Sequence, residues 1–156
     1  MTVGHKVYIA LGSNIGNRVE ILADAVATLA DKVGEVTKRS HLIETAPFGF
    51  VSNHAFLNQV VEIITSLSPL DLLNITIDIE KKLGRKQKSH DGIYHDRTCD
   101  IDIILYDDLI FHSTDLDIPH PRFRERDFVL VPLCEIAPDV IDPVTRKTIF
   151  ELRWGE

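Results

Sequence analysis

Two stretches of this 156-residue sequence carry the three- and four-residue apolar spacing of an amphipathic helix, and two strand-like runs lie between them. That order constrains the fold more than any other feature. The first helix is marked by Val19, Leu22, Val26, Leu29 and Val33. Asn17 is its cap, Glu20 follows three residues on as in a capping box, and Gly34 is its end. The second starts at Ser68-Pro69, where serine caps and proline fits the first turn, and runs to Leu83 before Gly84 stops it. "KVYIALG" reads as a strand before the first helix, and "VTKRSHLIET" and "FLNQVVEIITSL" as strands between the two. "RTCDIDIILY" follows the second helix and turns at Asp107-Asp108 into "LIF", a hairpin arm. Strand, helix, strand, strand, helix, strand predicts an α+β, ferredoxin-like βαββαβ fold: an antiparallel sheet with two helices on one face. The rest reads as a C-terminal helical and hairpin extension. "RDFVLVPLCEIAPDV" predicts a short helix interrupted near Pro132 and closed before Pro138, and Asp142-Pro143 marks a small hairpin before a last turn. The two helices leave one sheet face open, and the extension is expected to cover part of it.

The length fits a single domain over residues 1–156, with 44% hydrophobic and 26% charged residues as in an ordinary globular protein. A net charge of −7 argues against general binding to nucleic acid or an anionic membrane. Any anion must then be held by a local basic cluster. Cys99 and Cys134 lie far apart in apolar surroundings, which predicts buried thiols, no disulfide framework and a reducing cytoplasm. The first apolar run is broken by Gly12, Ser13 and Asn14, too soon for a signal peptide or a membrane span.

The strand at 97–106 raises a chemical question. Alternation puts Cys99, Ile101, Ile103 and Leu105 on one side and Asp100, Asp102, Ile104 and Tyr106 on the other. Two carboxylates about 6.5–7 Å apart along one face repel each other, more so when buried. Hard cations bridging a polyphosphate would remove that repulsion, since magnesium takes one or two protein carboxylates and leaves room for phosphate oxygens. The plain alternative is the wet face of an amphipathic strand. The neighbourhood weighs against it: Lys81, Lys82, Arg85, Lys86, Lys88 and Arg97 lie upstream, and Arg122, Arg124 and Arg126 downstream. No Walker-type loop is present, and "GSNIGNR" is as well explained by a tight turn. Phe48, Phe50, Phe56, Phe123 and Phe128 are packing anchors by default. A facing pair would sandwich a planar heterocycle whose edge an amide such as Asn58 reads. The seven histidines show no zinc spacing.

Together these stretches resemble the 6-hydroxymethyl-7,8-dihydropterin pyrophosphokinases of folate biosynthesis. The resemblance rests on "YIALGSNIGNR", "ETAPFG" followed by "FLNQVVEI", "IEKKLGR", "RTCDIDIILY", "IPHPR" and "RDFVLVPLCEIAPD". It implies transfer of the terminal diphosphate of ATP, as one unit, to the pterin's hydroxymethyl group, with release of AMP. It also implies ATP as co-substrate, two Mg2+ ions, small-molecule partners, no nucleic acid or membrane, and a monomer. By resemblance Asp100 and Asp102 hold the metal ions, Asp100 also lies near the attacking hydroxyl, and Arg85 and Arg97 act on the phosphates. Glu80, Tyr94, Ile103 (through its backbone), His120 and Arg126 fall at ATP-binding positions. Phe56 and Phe128 would stack the pterin, with Asn58 and the backbone around Thr45, Phe48 and Gly49 reading its edge.

The sequence departs from the family at several points. Tyr94 replaces a tryptophan, Gln87 and Ile93 replace arginines, Asp115 and Asp117 stand where an arginine and a threonine are common, and Phe56 replaces a tyrosine. Two other readings compete. A regulatory ligand-binding module would tolerate Asp100→Asn, and a different metal-dependent nucleotidyl or phosphoryl transferase would release a different leaving group.

Overall fold

The computed structural model describes residues 4–45, 55–84 and 99–155, and in them the expected order holds. The elements are β1 (His5–Ser13), α1 (Arg18–Lys32), β2 (Gly34–Arg39), β3 (Ile43–Thr45), β4 (Phe56–Thr65), α2 (Pro69–Gly84) and β5 (Asp100–Tyr106). The short strands β6 (Phe111–His112) and β7 (Asp117–Ile118) come next. A 3-10 turn at Phe123–Glu125, α3 (Asp127–Ile136) and α4 (Ile149–Trp154) complete the chain. The main sheet runs β2-β4-β1-β5, every neighbour antiparallel, with β3 also paired to β4. This is the ferredoxin-like arrangement.

Inner strands β1 and β4 are apolar on both sides because both sides are covered. On one face Leu22, Leu29, Leu72 and Ile79 of the helices pack on Ile9, Leu11, Val61 and Ile63. On the other, Phe123, Leu130, Leu133 and Ile149 of the extension pack on Tyr8, Val60, Ile104 and Leu105. Each such enclosed side chain contributes ~1.5–3 kcal/mol of transfer free energy. Among the described residues no helix is long and apolar enough to cross a membrane.

Both caps form, though at Asn17 only the cap's half of the expected capping box is made. The Glu20 amide donates to Asn17 Oδ1 at 3.2 Å, and the Asp71 amide to Ser68 Oγ at 3.2 Å. Val19, by contrast, is 59% exposed and lies off the buried stripe. Gly34 has a different reason from the one expected. It opens β2 rather than closing α1 with a left-handed turn, and a Cβ there would lie 2.0 Å from the Ile64 carbonyl oxygen. Close approach to β4 demands the glycine. Gly84 is the last helical residue rather than a stop beyond it.

The expected single strand over 36–45 is two pieces. Register slips by one residue between Val36 and Lys38. It slips again beyond Arg39, which pairs with Val61, because Ile43 pairs with Asn58: four steps on one side span three on the other. Buried Glu62 and Ser40 pin the two irregularities. Thr37 Oγ1 donates to Glu62 Oε1 at 2.7 Å, and the Tyr8 hydroxyl donates to Glu62 Oε2. Ser40 Oγ accepts the Val60 amide at 2.9 Å. Burial raises the Glu62 pKa, but the Tyr8 and Thr37 hydrogen bonds and the charges of Lys38 and Lys6 outweigh it and hold the carboxyl below its usual value.

The "LIF" run is not an arm of β5. Asp107 takes φ 49 and turns the chain away, and Phe111 then pairs with Ile118 in a separate two-stranded ribbon. Pro132 does not interrupt its helix. It lies inside α3, flanked by the Leu130 to Arg126 and Ala137 to Leu133 backbone bonds, each within 2.9 Å, and its ring is buried. The expected hairpin at Asp142-Pro143 closes with the Asp142 amide on the Lys147 carbonyl at 2.8 Å, and α4 follows behind a Thr148–Glu151 capping box.

Candidate active site

Strand β5 is where the expected alternation fails, and the failure shapes the site. Tyr8 pairs with Leu105 but Ile9 with Ile103, so Ile104 is an extra residue. The bulge sends both Ile104 and Leu105 to the extension side and turns Tyr106 to the helix side. Before the bulge the alternation holds. Ile101 and Ile103 enter the core under the helices, and half-buried Asp100 and Asp102 face the other way.

Their neighbours on that face follow from register. Asp100 pairs with Gly12, which pairs with Asn58; Asp102 pairs with Ala10, which pairs with Val60. A carboxylate and an amide thus lie in one row, separated by a residue with no side chain. A Cβ on Gly12 would lie 3.2 Å from Asn58 Oδ1 and 3.6 Å from Phe56 Cδ1. Buried Asn58 is aimed by its nitrogen, which donates to Thr45 Oγ1 at 2.8 Å and to the Ile43 carbonyl at 3.4 Å. Its oxygen faces the side of Gly12 from which a side chain would rise. Phe56 is half-buried at the start of β4. Phe128 is half-buried in the first turn of α3, which packs on β4, and the Arg126 guanidinium lies 5.6 Å from its ring centre.

At the other end of the acid strand stands the turn after Pro119. The His120 amide donates to the carbonyl of the bulged Ile104 at 3.0 Å. The Arg122 amide donates to His120 Nδ1 at 3.1 Å, which fixes the tautomer with its proton on Nε2. Burial first, then the charge of Arg126, pushes the His120 pKa down to about 4 against the pull of Asp100, so the ring is neutral at pH 7. Arg126 Nε is buried with no hydrogen-bond partner among the described residues. A buried guanidinium nitrogen in that condition suits an anionic ligand.

Glu80 of α2 reaches the same strand: its Oε2 accepts the Ile101 amide at 2.7 Å on the open edge of β5. The two-residue repeat of a strand turns the Ile103 amide to that edge too. The structure therefore brings together Thr45, Phe56, Asn58, Asp100 and Asp102 on one sheet face, with His120 and Arg126 at the turn bonded to β5. Phe48, Gly49, Arg85, Tyr94 and Arg97 lie outside the described residues, as do Lys86 and Lys88.

Two members of the expected basic clusters are engaged elsewhere. Lys82 pairs with Asp78 on the surface of α2 at 3.1 Å, and Arg124 is bound to Asp142, with Nε 2.5 Å from Oδ2. Other residues gain importance that sequence reading gave no sign of. Gly12 looked like the end of a strand, yet it is the residue that separates Asn58 from Asp100. Arg18, the first residue of α1, donates to Glu44 Oε2 at 2.7 Å and to the Ala55 carbonyl at 2.8 Å, bracing the two stems from which Thr45 and Phe56 project. Among the described residues no group of three or more His, Cys, Asp or Glu side chains is arranged to hold a metal ion.

Comparison with known proteins agrees with this geometry. Residues 8–138 match the family model described as 7,8-dihydro-6-hydroxymethylpterin-pyrophosphokinase (HPPK). The chain is 47% identical over 135 residues to the 2-amino-4-hydroxy-6-hydroxymethyldihydropteridine pyrophosphokinase of Porphyromonas gingivalis, covering 85% of this chain and 90% of that one. It is also 47% identical over 134 residues to the enzyme of the same name from Bacillus subtilis, covering 85% and 78%. Among solved structures, the wild-type Plasmodium falciparum HPPK-DHPS chain superposes with a TM-score of 0.79 at 18% identity. That match covers 97% of this chain but 44% of the Plasmodium chain, and it speaks to the fold alone. With one family matched from the first strand into the extension, the chain belongs to the 7,8-dihydro-6-hydroxymethylpterin-pyrophosphokinases.

Proposed function

We infer that the sheet face at Gly12 and the acid strand beside it are where this chain carries out its family's reaction, the transfer of the terminal diphosphate of ATP to the hydroxymethyl group of 6-hydroxymethyl-7,8-dihydropterin. One observation carries the assignment: Asn58, Gly12 and Asp100 are paired in one row across three strands, so a flat ring over Gly12 would have an amide at one edge and a carboxylate at the other. Phe56 and Phe128 then stack the pterin, and Asn58, with the backbone at Thr45, Phe48 and Gly49, reads its polar edge. The hydroxymethyl group would project toward Asp100.

On the nucleotide side, His120 offers a neutral Nε2–H donor and Arg126 a guanidinium nitrogen with no hydrogen-bond partner among the described residues. Glu80 and the Ile103 backbone, at the edge of β5, complete the described part of the ATP site, with Tyr94, Arg85 and Arg97 beyond it. The hydroxymethyl oxygen attacks the β-phosphorus and passes its proton to water as the new O–P bond forms, and the bond from that phosphorus to the oxygen bridging it to the α-phosphate breaks with its electron pair leaving on AMP. Such transfers need alignment and charge neutralisation more than a protein nucleophile. Two carboxylates without a group of three or more His, Cys, Asp or Glu side chains around them among the described residues are a poor cage for zinc or calcium. They fit magnesium, which takes one or two carboxylates and completes its shell with water and phosphate oxygens. Asp100 and Asp102 would hold two such ions, which when bound neutralise the phosphate charge. We further propose that residues 1–156 act as one pyrophosphokinase domain, monomeric and cytoplasmic, without nucleic acid as partner. The net charge of −7 supports the last point.

Phosphorus NMR of ATP, magnesium and the hydroxymethyl pterin tests this reading. AMP and the pterin diphosphate are expected, and Asp100→Asn should abolish turnover without unfolding the chain. ADP as product, or full activity in Asp100→Asn, would defeat it.

A further inference from the structure

The residues following the family match make a contact whose purpose is not explained by stability. The match ends at residue 138. Beyond it, the carboxylate of Asp142 is enclosed, with no exposed surface, and accepts four hydrogen bonds. Two come from its own hairpin, the Val144 amide at 3.0 Å and Thr145 Oγ1 at 2.8 Å. Two come from Arg124, Nε at 2.5 Å and the terminal NH2 nitrogen at 2.9 Å. Burial raises the Asp142 pKa, but Arg124 and the other donors outweigh it and hold the carboxyl below its usual value. A buried ion pair of this kind adds little net stability over an apolar contact, but it fixes geometry through its two-pronged fit.

What it fixes is the 3-10 turn at Phe123–Glu125. The turn's own bonds are three and one of them is long: the Phe123 amide lies 3.4 Å from the His120 carbonyl, the Glu125 amide 3.1 Å from the Arg122 carbonyl and the Arg126 amide 3.2 Å from the Phe123 carbonyl. A single turn of this type holds itself poorly. One anchor is Phe123, wholly buried in the second core. The His120–Ile104 bond ties one end to β5, and the Arg126 carbonyl, which accepts the Val129 and Leu130 amides, ties the other to α3, but the middle of the turn can still swivel about Phe123, because apolar contact has no direction. Arg124, locked to Asp142, is the second anchor, and two adjacent anchors set the orientation. His120 and Arg126 stand at the two ends of the segment so held.

We propose that Asp142 is a positioning residue for nucleotide binding: by clamping Arg124 it orients the 120–126 turn and so sets where His120 and Arg126 stand against β5. The hairpin outside the family match thereby supports the ATP side and leaves the pterin side untouched. This rests on the assignment of Arg126 and His120 to ATP made above.

The test uses the full chain and two calorimetric titrations, one with a non-hydrolysable ATP analogue and magnesium, one with the pterin. Asp142→Asn and Arg124→Gln should each weaken analogue binding at least fivefold while pterin affinity stays within twofold. The double variant should be no worse than the weaker single, since both remove one clamp. Lost stability alone would not split the two ligands. Equal losses for both ligands, unchanged analogue binding in a folded variant, or additive losses in the double variant would overturn the proposal. Should Asp142→Asn fail to fold, Thr145→Val removes one of the four bonds. A smaller but ATP-selective loss is then expected, and no loss overturns the idea. Arg126→Ala separates the two levels. If it leaves analogue binding intact, the assignment of Arg126 falls and the inference with it. If it weakens binding and Asp142→Asn does not, the inference alone falls.

Discussion

Replacing Gly12 with alanine adds one methyl group between Asn58 and Asp100 and nothing elsewhere. That methyl carbon would lie 3.2 Å from Asn58 Oδ1, tighter than an ordinary carbon–oxygen contact, and 3.6 Å from Phe56 Cδ1, which is ordinary. Asn58 has little freedom to yield, because its nitrogen is tied to Thr45 and Ile43. The fold should survive: alanine is tolerated in a strand, and the gain of about 0.5–1 kcal/mol from a stiffer unfolded chain offsets part of the crowding. Pterin binding should not. Displacing the amide spoils a buried hydrogen bond and the methyl occupies the ring's resting plane, a loss of ~1–3 kcal/mol. At about 1.4 kcal/mol per decade that is a rise of about 5- to 150-fold in Kd. The assay is calorimetric titration with the pterin and, separately, with magnesium and a non-hydrolysable ATP analogue, beside a thermal melt. A melting temperature near wild type, analogue binding within twofold and much weaker pterin binding are expected. Unchanged pterin affinity in the folded variant would show that nothing flat rests on Gly12.

Three other outcomes follow from the same coordinates. Gly34→Ala drives a methyl onto the Ile64 carbonyl oxygen at 2.0 Å, so it should cost about 3 kcal/mol and lower Tm by about 6–12 °C, measured by calorimetric melting. His120 keeps its proton off in the folded chain down to about pH 4, whereas an ordinary histidine binds one near pH 6.5. Between those values the unfolded chain takes up a proton that the folded one refuses. Stability should fall with pH over that window, by up to about 3 kcal/mol, and His120→Asn should remove that part of the slope in urea titrations without nucleotide or magnesium. Arg18→Ala removes the brace between Glu44 and Ala55 and should raise the pterin KM about threefold to tenfold with the ATP KM unchanged, read from initial rates.

The chain's order of elements was legible because it depends on local rules: the caps at Asn17 and Ser68, the helical stripe through Leu22, Val26 and Leu29, and the alternation through Ile101 and Ile103 are each written within a few residues. The family motifs were legible for the same reason. The errors lie where one strand answers to another. The extra residue at Ile104 has no local mark, since "IDIILY" alternates or not according to what β1 offers opposite it. Gly34 reads as a helix stop until β4 is seen pressed against it. Arg124 reads as one of three phosphate-seeking arginines until Asp142, far along the chain, claims it.

The sequence by itself determined the order of the main helices and strands, that the fold is ferredoxin-like, and that Asp100 and Asp102 share a face. Tertiary structure alone decided what that face looks across at: Gly12 leaves a gap there because register, which depends on pairing between distant strands, sets it opposite Asn58 and Asp100.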